Sequence, residues 1–266
     1  MKRHLIISLL FISSITASAQ NPRICAHRGF WDCDGAGHVE NSIASLRMAQ
    51  ESGFWGSEFD VHLTADSVVV VNHDDRFYGI PIHTSTYQEL LAKRHPNGEY
   101  IPTLDQYLEQ GVKSACMLVL EIKPQKTVET TICLAQKCRD ALEAHGLLDP
   151  SRVMFISFSY DACKWVAKNL PAFDNQYLEG KVDPETVHED GIRGIDYHFL
   201  YFNQHPDWVK RAHDLGMTVN VWTVDFAPEM RRLMKLGVDV ITTNKPLLLK
   251  KEIEKGLSPG NAPRQP

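Results

Sequence analysis

Eight short runs rich in β-branched and other apolar residues are spaced along the chain, with helical stretches between most of them. This alternation restricts the possible fold more than any other feature. The runs cover residues 23–27, 58–63, 117–123, 152–158, 176–178, 194–198, 218–224 and 238–242. Residues 41–52, 127–145, 206–215 and 228–236 read as helices; the last two begin near a proline and end before a glycine, as helix ends commonly do. Strands alternating with helices predict parallel βαβ units, and eight such units close a (β/α)8 TIM barrel. A length of 266 residues suits one barrel as a single domain. The alternative, an open doubly wound sheet, normally carries a glycine-rich phosphate loop after its first strand, and none is present.

One run breaks the pattern. Val68-Val69-Val70-Val71-Asn72-His73 is strand-like, yet only Thr64-Ala65-Asp66-Ser67 separate it from the second barrel strand. A parallel crossover needs about a dozen residues, so this run must return antiparallel, as a β-hairpin extension after the second strand. A turn centred on Ala65-Asp66 sets Glu58 opposite His73. The link from His73 to Thr103 has room for only a small insertion.

The first residues read differently. Lys2, Arg3 and His4 precede an apolar stretch over 5–15, and Ala17-Ser18-Ala19 gives the small-x-small pattern of a signal-peptidase site. The expected organisation is a signal peptide over 1–19, a barrel domain over 20–257 and a loose tail over 258–266. The apolar stretch is shorter than the about 20 residues of a stable membrane span. A retained anchor is the alternative. The expected mature protein is secreted or periplasmic, starts at Gln20 and has no stable membrane insertion. Mass spectrometry of protein from its native envelope should read Gln20 first, and an intact Met1 there would refute cleavage. A net charge of −5 with no basic stripe argues against a nucleic-acid partner. The six cysteines include no C-x-x-C pair, which leaves little support for zinc or thioredoxin chemistry; they read mainly as small core residues, with a Cys25–Cys33 bridge left open.

Reactive groups of a barrel gather where strands end and βα loops begin. His27-Arg28-Gly29 ends the first strand, Glu58-Phe59-Asp60 lies on the second, His73-Asp74-Asp75 ends the hairpin return, and Glu121-Ile122-Lys123 ends the next barrel strand. Glu58 and Asp60, two apart, share a strand face. Two carboxylates aimed into a barrel are unfavourable without a counter-charge, and a divalent cation with Glu121 as third oxygen ligand is the simplest one. The competing possibility is an outward-facing, solvated pair, because alternation alone does not say which face is inside. His27 and His73 can serve as acid and base. Arg28 can grip a phosphate bidentately, Gly29 lets the backbone approach a ligand, and Lys123 adds a point charge on the face of Glu121. Together these groups answer the needs of a phosphodiester: charge neutralisation, a proton acceptor and a proton donor.

Across nearly all of the mature chain the sequence resembles the glycerophosphodiester phosphodiesterase (GDPD) family. The matching stretches are Ala26-His27-Arg28-Gly29, Glu40-Asn41-Ser42, Glu58-Phe59-Asp60-Val61 with Thr64 and Asp66, and Val69-Val70-Val71-Asn72-His73-Asp74. Ile101-Pro102-Thr103-Leu104, Glu121-Ile122-Lys123 and Val221-Trp222-Thr223-Val224 complete them. The resemblance implies a metal at Glu58, Asp60 and Glu121; Ca²⁺ is expected somewhat ahead of Mg²⁺ because the expected compartment is extracytoplasmic and carboxylates dominate the ligands. It implies acid/base roles for His27 and His73, and phosphate contacts from Arg28 and Lys123. It implies attack by a glycerol hydroxyl on phosphorus, a cyclic phosphate, and release of an alcohol and glycerol 3-phosphate. Trp222 is expected against the glycerol, or else in the barrel core. The expected partner is a small glycerophosphodiester; phospholipase-like cleavage of a lipid headgroup on the same barrel is the alternative, which would need an apolar access surface. The chain departs from the family pattern at Val39 and Ser42, where Val39-Glu40-Asn41-Ser42 stands for the usual Pro-Glu-Asn-Thr, in the longer loop 31–38 with Asp32, Asp34 and His38, and at Asn244, where an acidic residue is usual. These departures are expected to leave the principal residues untouched.

Overall fold

The computed structural model describes residues 21–257; the expected signal peptide and C-terminal tail lie outside the described residues. The first half runs β1 (Arg23–Ala26), α1 (Ile43–Glu51), β2 (Gly56–Leu63), β3 (Val69–Val71), β4 (Arg76–Phe77), β5 (Ile80–Pro81), α2 (Tyr87–Leu90), α3 (Leu104–Gly111), β6 (Met117–Ile122) and α4 (Val128–Ala144). The second runs β7 (Val153–Ser157), α5 (Tyr160–Asn169), β8 (Asn175–Tyr177), α6 (Pro184–Glu189), β9 (Gly194–His198), α7 (Tyr201–Gln204), α8 (Trp208–Asp214), β10 (Thr218–Trp222), α9 (Ala227–Leu236), β11 (Val240–Thr243) and α10 (Pro246–Leu257). Strands β1, β2, β6, β7, β8, β9, β10 and β11 pair in that order, each parallel to the next, and β11 pairs back onto β1. This is the expected closed barrel, with helices outside.

Helix starts are fixed locally. Ser42, Thr103 and Thr127 each cap the third backbone N–H of the helix they precede, and that third residue's side chain reaches back to the cap. Such caps contribute about 1 kcal/mol each. The core then divides. Phe59, Val61, Leu118, Leu120 and Ile122 pack outward with Tyr107 of α3 and Leu134 of α4, while Cys25, Val119, Met154, Ile156, Leu178 and Val240 form the apolar filling inside the barrel. Because side chains alternate along a strand, outward Phe59 and Leu120 turn Glu58, Asp60 and Glu121 inward. The solvated Glu-x-Asp is thereby excluded.

The hairpin return β3 is antiparallel to β2 as expected, but its register differs by one residue. Val71 faces Val61, where the expected pairing of Glu58 with His73 would have set Val70, and the Asn72 N–H donates to the Asp60 carbonyl at 3.0 Å. The cause is the turn. Ser67 adopts a left-handed φ of 64° and its N–H donates to the Thr64 carbonyl, which makes a three-residue loop with a bulge rather than a two-residue turn. The following insertion carries β4, β5 and α2 around its own small cluster of Val70, Phe77, Ile82, Leu90 and Ile101. All six cysteines are free, so Cys25 and Cys33 are not bridged.

Candidate active site

Parallel pairing of β2 with β6 sets Asp60 beside Glu121 and Glu58 beside Val119. One oxygen from each of Glu58, Asp60 and Glu121 lies within 4.8 Å of the others, and all three residues are buried. Lys123 Nζ lies 3.2 Å from Asp60 Oδ1 and 2.9 Å from Glu121 Oε1, and Arg28 Nε lies 3.9 Å from Asp60 Oδ2. Neither Lys123 contact has hydrogen-bond geometry, and Glu58 Oε1 has no partner of either kind. Three carboxylates against two cations leave one formal negative charge in a buried space. Hard oxygen donors, unsatisfied and convergent, fit a divalent cation of the Ca²⁺ or Mg²⁺ type.

The electrostatics follow from crowding. Burial first, then the Asp60 and Glu121 charges, push the Glu58 carboxyl well above the usual carboxylate range. Glu121 is pushed up to about 8, by burial and then by Asp60. Burial would raise Asp60 as well, but Lys123, His73, Asn41 and Arg28 outweigh it and hold this carboxyl at about 2. Lys123 rises to about 12, because Asp60 and Glu121 overcome the opposing effect of burial. The proton held by this cluster therefore belongs on Glu58 or Glu121 until a cation neutralises them.

The loop after β1 folds over Glu58. Arg28 and Gly29 are both left-handed, with φ of 55° and 81°. The Arg28 N–H donates to Glu58 Oε2 at 2.7 Å, and the Gly29 N–H donates to the Glu58 carbonyl at 3.0 Å. A Cβ at Gly29 would lie 2.4 Å from Ser45 Oγ. The glycine thus allows close approach to helix α1, a different reason from the ligand contact expected of it. Arg28 NH1 donates to both oxygens of Glu40 at 2.9 Å. Asn41, also left-handed, brackets Asp60: its Nδ2 donates to Asp60 Oδ2 at 2.9 Å, and its Oδ1 accepts the Asp60 N–H at 3.1 Å. Glu40 and Asn41 stood in the matching stretches, but nothing local announced which groups they hold.

His27 is half-buried, its side chain 16% exposed, and loss of solvent around it together with the Arg28 charge pushes it down to about 4. Its Nδ1 lies 2.9 Å from Asn244 Oδ1, and its Nε2 lies 4.0 Å from Glu58 Oε2. Asn244 is held in turn by Asp225, whose Oδ1 accepts the Asn244 N–H and whose Oδ2 accepts Asn244 Nδ2–H, both at 2.8 Å. A carboxylate only accepts, so Nδ2 must face Asp225 and Oδ1 must face His27. His27 therefore carries its proton on Nδ1 and presents Nε2 as an acceptor. Trp31 Nε1 donates to the same Asn244 Oδ1 at 3.0 Å. Two departures expected to be remote, Asn244 and the loop 31–38, thus reach a principal residue. The loop's charged residues do not: Asp32 pairs with Lys245 and His38, and Asp34 pairs with His38. Asp225 was missed because only barrel closure brings it to Asn244.

His73 Nδ1 donates to Asp74 Oδ1 at 2.7 Å, and its carbonyl accepts from His62 Nε2 at 3.0 Å. A cavity of about 230 Å³ brings His27, Arg28, Glu58, His73, Glu121 and Trp222 together. Trp222 lines it half-exposed, with Nε1 donating to the Asp196 carbonyl at 2.8 Å. Asp196, buried in the same lining, was also missed, although alternation along β9 turns it inward beside Asn220.

A barrel mouth with two histidines, Arg28 and clustered carboxylates around one cavity has the groups that hydrolysis of a phosphoric diester calls for. Residues 27–248 match the model of the glycerophosphoryl diester phosphodiesterase family, and the chain belongs to that family. A glycerophosphodiester phosphodiesterase of Caldanaerobacter subterraneus subsp. tengcongensis is 29% identical over 252 residues, covering 88% of this chain and 98% of that one. A crystal structure of a glycerophosphodiester phosphodiesterase from Parabacteroides distasonis superposes with a TM-score of 0.87 at 40% identity, covering 91% of this chain and all (100%) of that one. An Oleispira antarctica phosphodiesterase, solved with the product sn-glycerol-3-phosphate, has a TM-score of 0.74 at 24% identity, covering 88% of this chain and 97% of that one; this likeness is one of fold.

Proposed function

We propose that this glycerophosphodiester phosphodiesterase releases glycerol 3-phosphate and an alcohol by histidine acid/base catalysis at a metal-loaded site. The observation that carries the reading is the common cavity of His27, His73, Arg28, Glu58 and Glu121. Glu58, Asp60 and Glu121 would hold the cation, which would supply charge neutralisation and Lewis acidity. Arg28 and Lys123 hold the phosphate oxygens. His27 Nε2, fixed as an acceptor, takes the proton of the glycerol hydroxyl as its oxygen bonds to phosphorus. His73 gives a proton to the departing alcohol oxygen as that P–O bond breaks. Water then opens the cyclic phosphate, with the two histidines exchanging roles. Incubation of glycerophosphodiesters with the protein and Ca²⁺ or Mg²⁺ should yield glycerol 3-phosphate, with a cyclic phosphate visible by ³¹P NMR. Release of a phosphorylated alcohol instead, or no release from any diester of the panel, would refute the reading.

The lipid-headgroup alternative gains one observation. Leu200 and Phe226, on loops after β9 and β10, are 50% and 52% exposed, so an apolar surface does exist at the catalytic end. Faster turnover of an intact lipid than of its deacylated diester would favour that alternative.

The Asp225–Asn244 pair predicts a further result. Asn244→Leu removes the acceptor from His27 Nδ1, and kcat should fall by about ten-fold or more with KM little changed. Steady-state kinetics with wild-type kcat would remove the positioning role.

A further inference from the structure

A second cavity, of about 620 Å³, opens beside the catalytic one at the same end of the barrel. Phe158, Leu178 and Trp222 line both, so the two adjoin across one wall. The larger cavity adds Glu179, His198, Leu200, Tyr201 and Gln204, of which Glu179 alone is a carboxylate. A phosphodiester has two arms, and the catalytic cavity of about 230 Å³ has room for the phosphate and one small arm. The adjoining space is the direct continuation for the other. A third cavity, against the insertion and edged by Glu40, Asp74 and Arg76, shares no lining residue with the catalytic cavity.

Besides the apolar Leu178 and Leu200 and the neutral Gln204, the walls of the larger cavity are aromatic rings and one carboxylate. Trp222 is anchored by its Asp196 hydrogen bond, and Phe158 and His198 meet it edge-on at ring separations of 5.5 and 5.2 Å. Gly180 is left-handed, and a Cβ there would lie 2.4 Å from the Tyr201 ring. Its missing side chain lets that ring lie against the loop that carries Glu179. The Glu179 carboxylate is 33% exposed, and its ion-pair partner Lys181, outside the lining, is 68% exposed. So exposed a partner is readily exchanged for another cation. Lys123, 6.0 Å from the Phe158 ring centroid, does not line this cavity. Aromatic faces joined by one carboxylate attract positive charge, and an anionic arm would meet repulsion from Glu179.

We propose that this cavity is the subsite of the leaving alcohol and that it selects alcohols carrying a fixed positive charge, of the quaternary ammonium kind. The proposal rests on the phosphodiesterase reading above. The test compares two diesters on the metal-loaded enzyme: glycerophosphocholine, and its uncharged isostere in which 3,3-dimethylbutanol replaces choline. Wild type should favour the charged diester in kcat/KM by about ten-fold, the scale of a cation–π contact with a partly desolvated carboxylate nearby. In Glu179→Gln and in Tyr201→Ala the ratio should fall toward one. Equal kcat/KM for the two diesters in wild type, or an unchanged ratio in both variants, overturns the subsite while leaving the reaction standing. Turnover of neither diester overturns the reaction reading and the subsite with it. Circular dichroism melting of each variant checks that the ratio is read from folded protein.

Discussion

Glu58→Gln, Asp60→Asn and Glu121→Gln are each expected to lower both metal affinity and activity by about 10- to 100-fold, and exhaustive chelation of the wild type should abolish turnover. The three carboxylates sit within 4.8 Å of one another in a buried space. Burial and mutual repulsion push Glu58 and Glu121 upward, so the cluster is unfavourable when unneutralised. Lys123 and Arg28 offset only part of the charge. A cation bound only by the folded state also stabilises it, by about 2.7 kcal/mol at a free concentration one hundred times its Kd. Chelation should therefore lower the thermal midpoint in calorimetry as well as the rate. Ca²⁺ is expected to restore both somewhat better than Mg²⁺, because it tolerates an irregular set of carboxylates. An acidic control must lie away from the site and hold nothing in place, which excludes Asp66, whose Oδ1 accepts from Thr64 and from the Tyr87 N–H and ties the hairpin to α2. Asp140, exposed on α4, is the better one, and Asp140→Asn should change neither quantity. Full activity and an unshifted midpoint after chelation, with no metal by elemental analysis, would leave the histidines and cations to carry the reaction alone.

His27→Ala and His73→Ala should each cut kcat by about 10²-fold or more, the usual scale for a lost general acid or base, with a much smaller change in KM. Binding survives because Arg28, Lys123 and the acidic cluster remain in place. The two variants should differ in stability. His27 is half-buried against Asn244, its side chain 16% exposed, so truncation removes packing and leaves the amide oxygen with Trp31 alone. His73 is a third exposed, and its backbone is held by His62 whatever its side chain. Chemical denaturation should therefore show a loss for His27→Ala and little for His73→Ala. Near wild-type turnover in either variant would show that its histidine moves no proton in the rate-limiting step.

The barrel itself was legible in the sequence because its information is local. Each of the eight parallel strands overlaps a run of apolar and β-branched residues, and the short Thr64–Ser67 link forces the antiparallel return by chain length alone. The shared face of Glu58 and Asp60 follows from the two-residue period of a strand. The direction of that face does not. It was decided when Phe59 and Val61 packed under α3 and α4, an outcome of burying apolar area between barrel and helices. The hairpin register was likewise set by the left-handed Ser67, a single backbone angle that shifts every facing pair. His27 and Asn244 are 217 residues apart, and Asp225 joins them only because β11 closes on β1 and lies beside β10. Such contacts depend on directional hydrogen bonds between closed strands. Periodicity along the chain carries no trace of them, so the principal residues could be read from the sequence while the groups that orient them emerged only from the closed barrel.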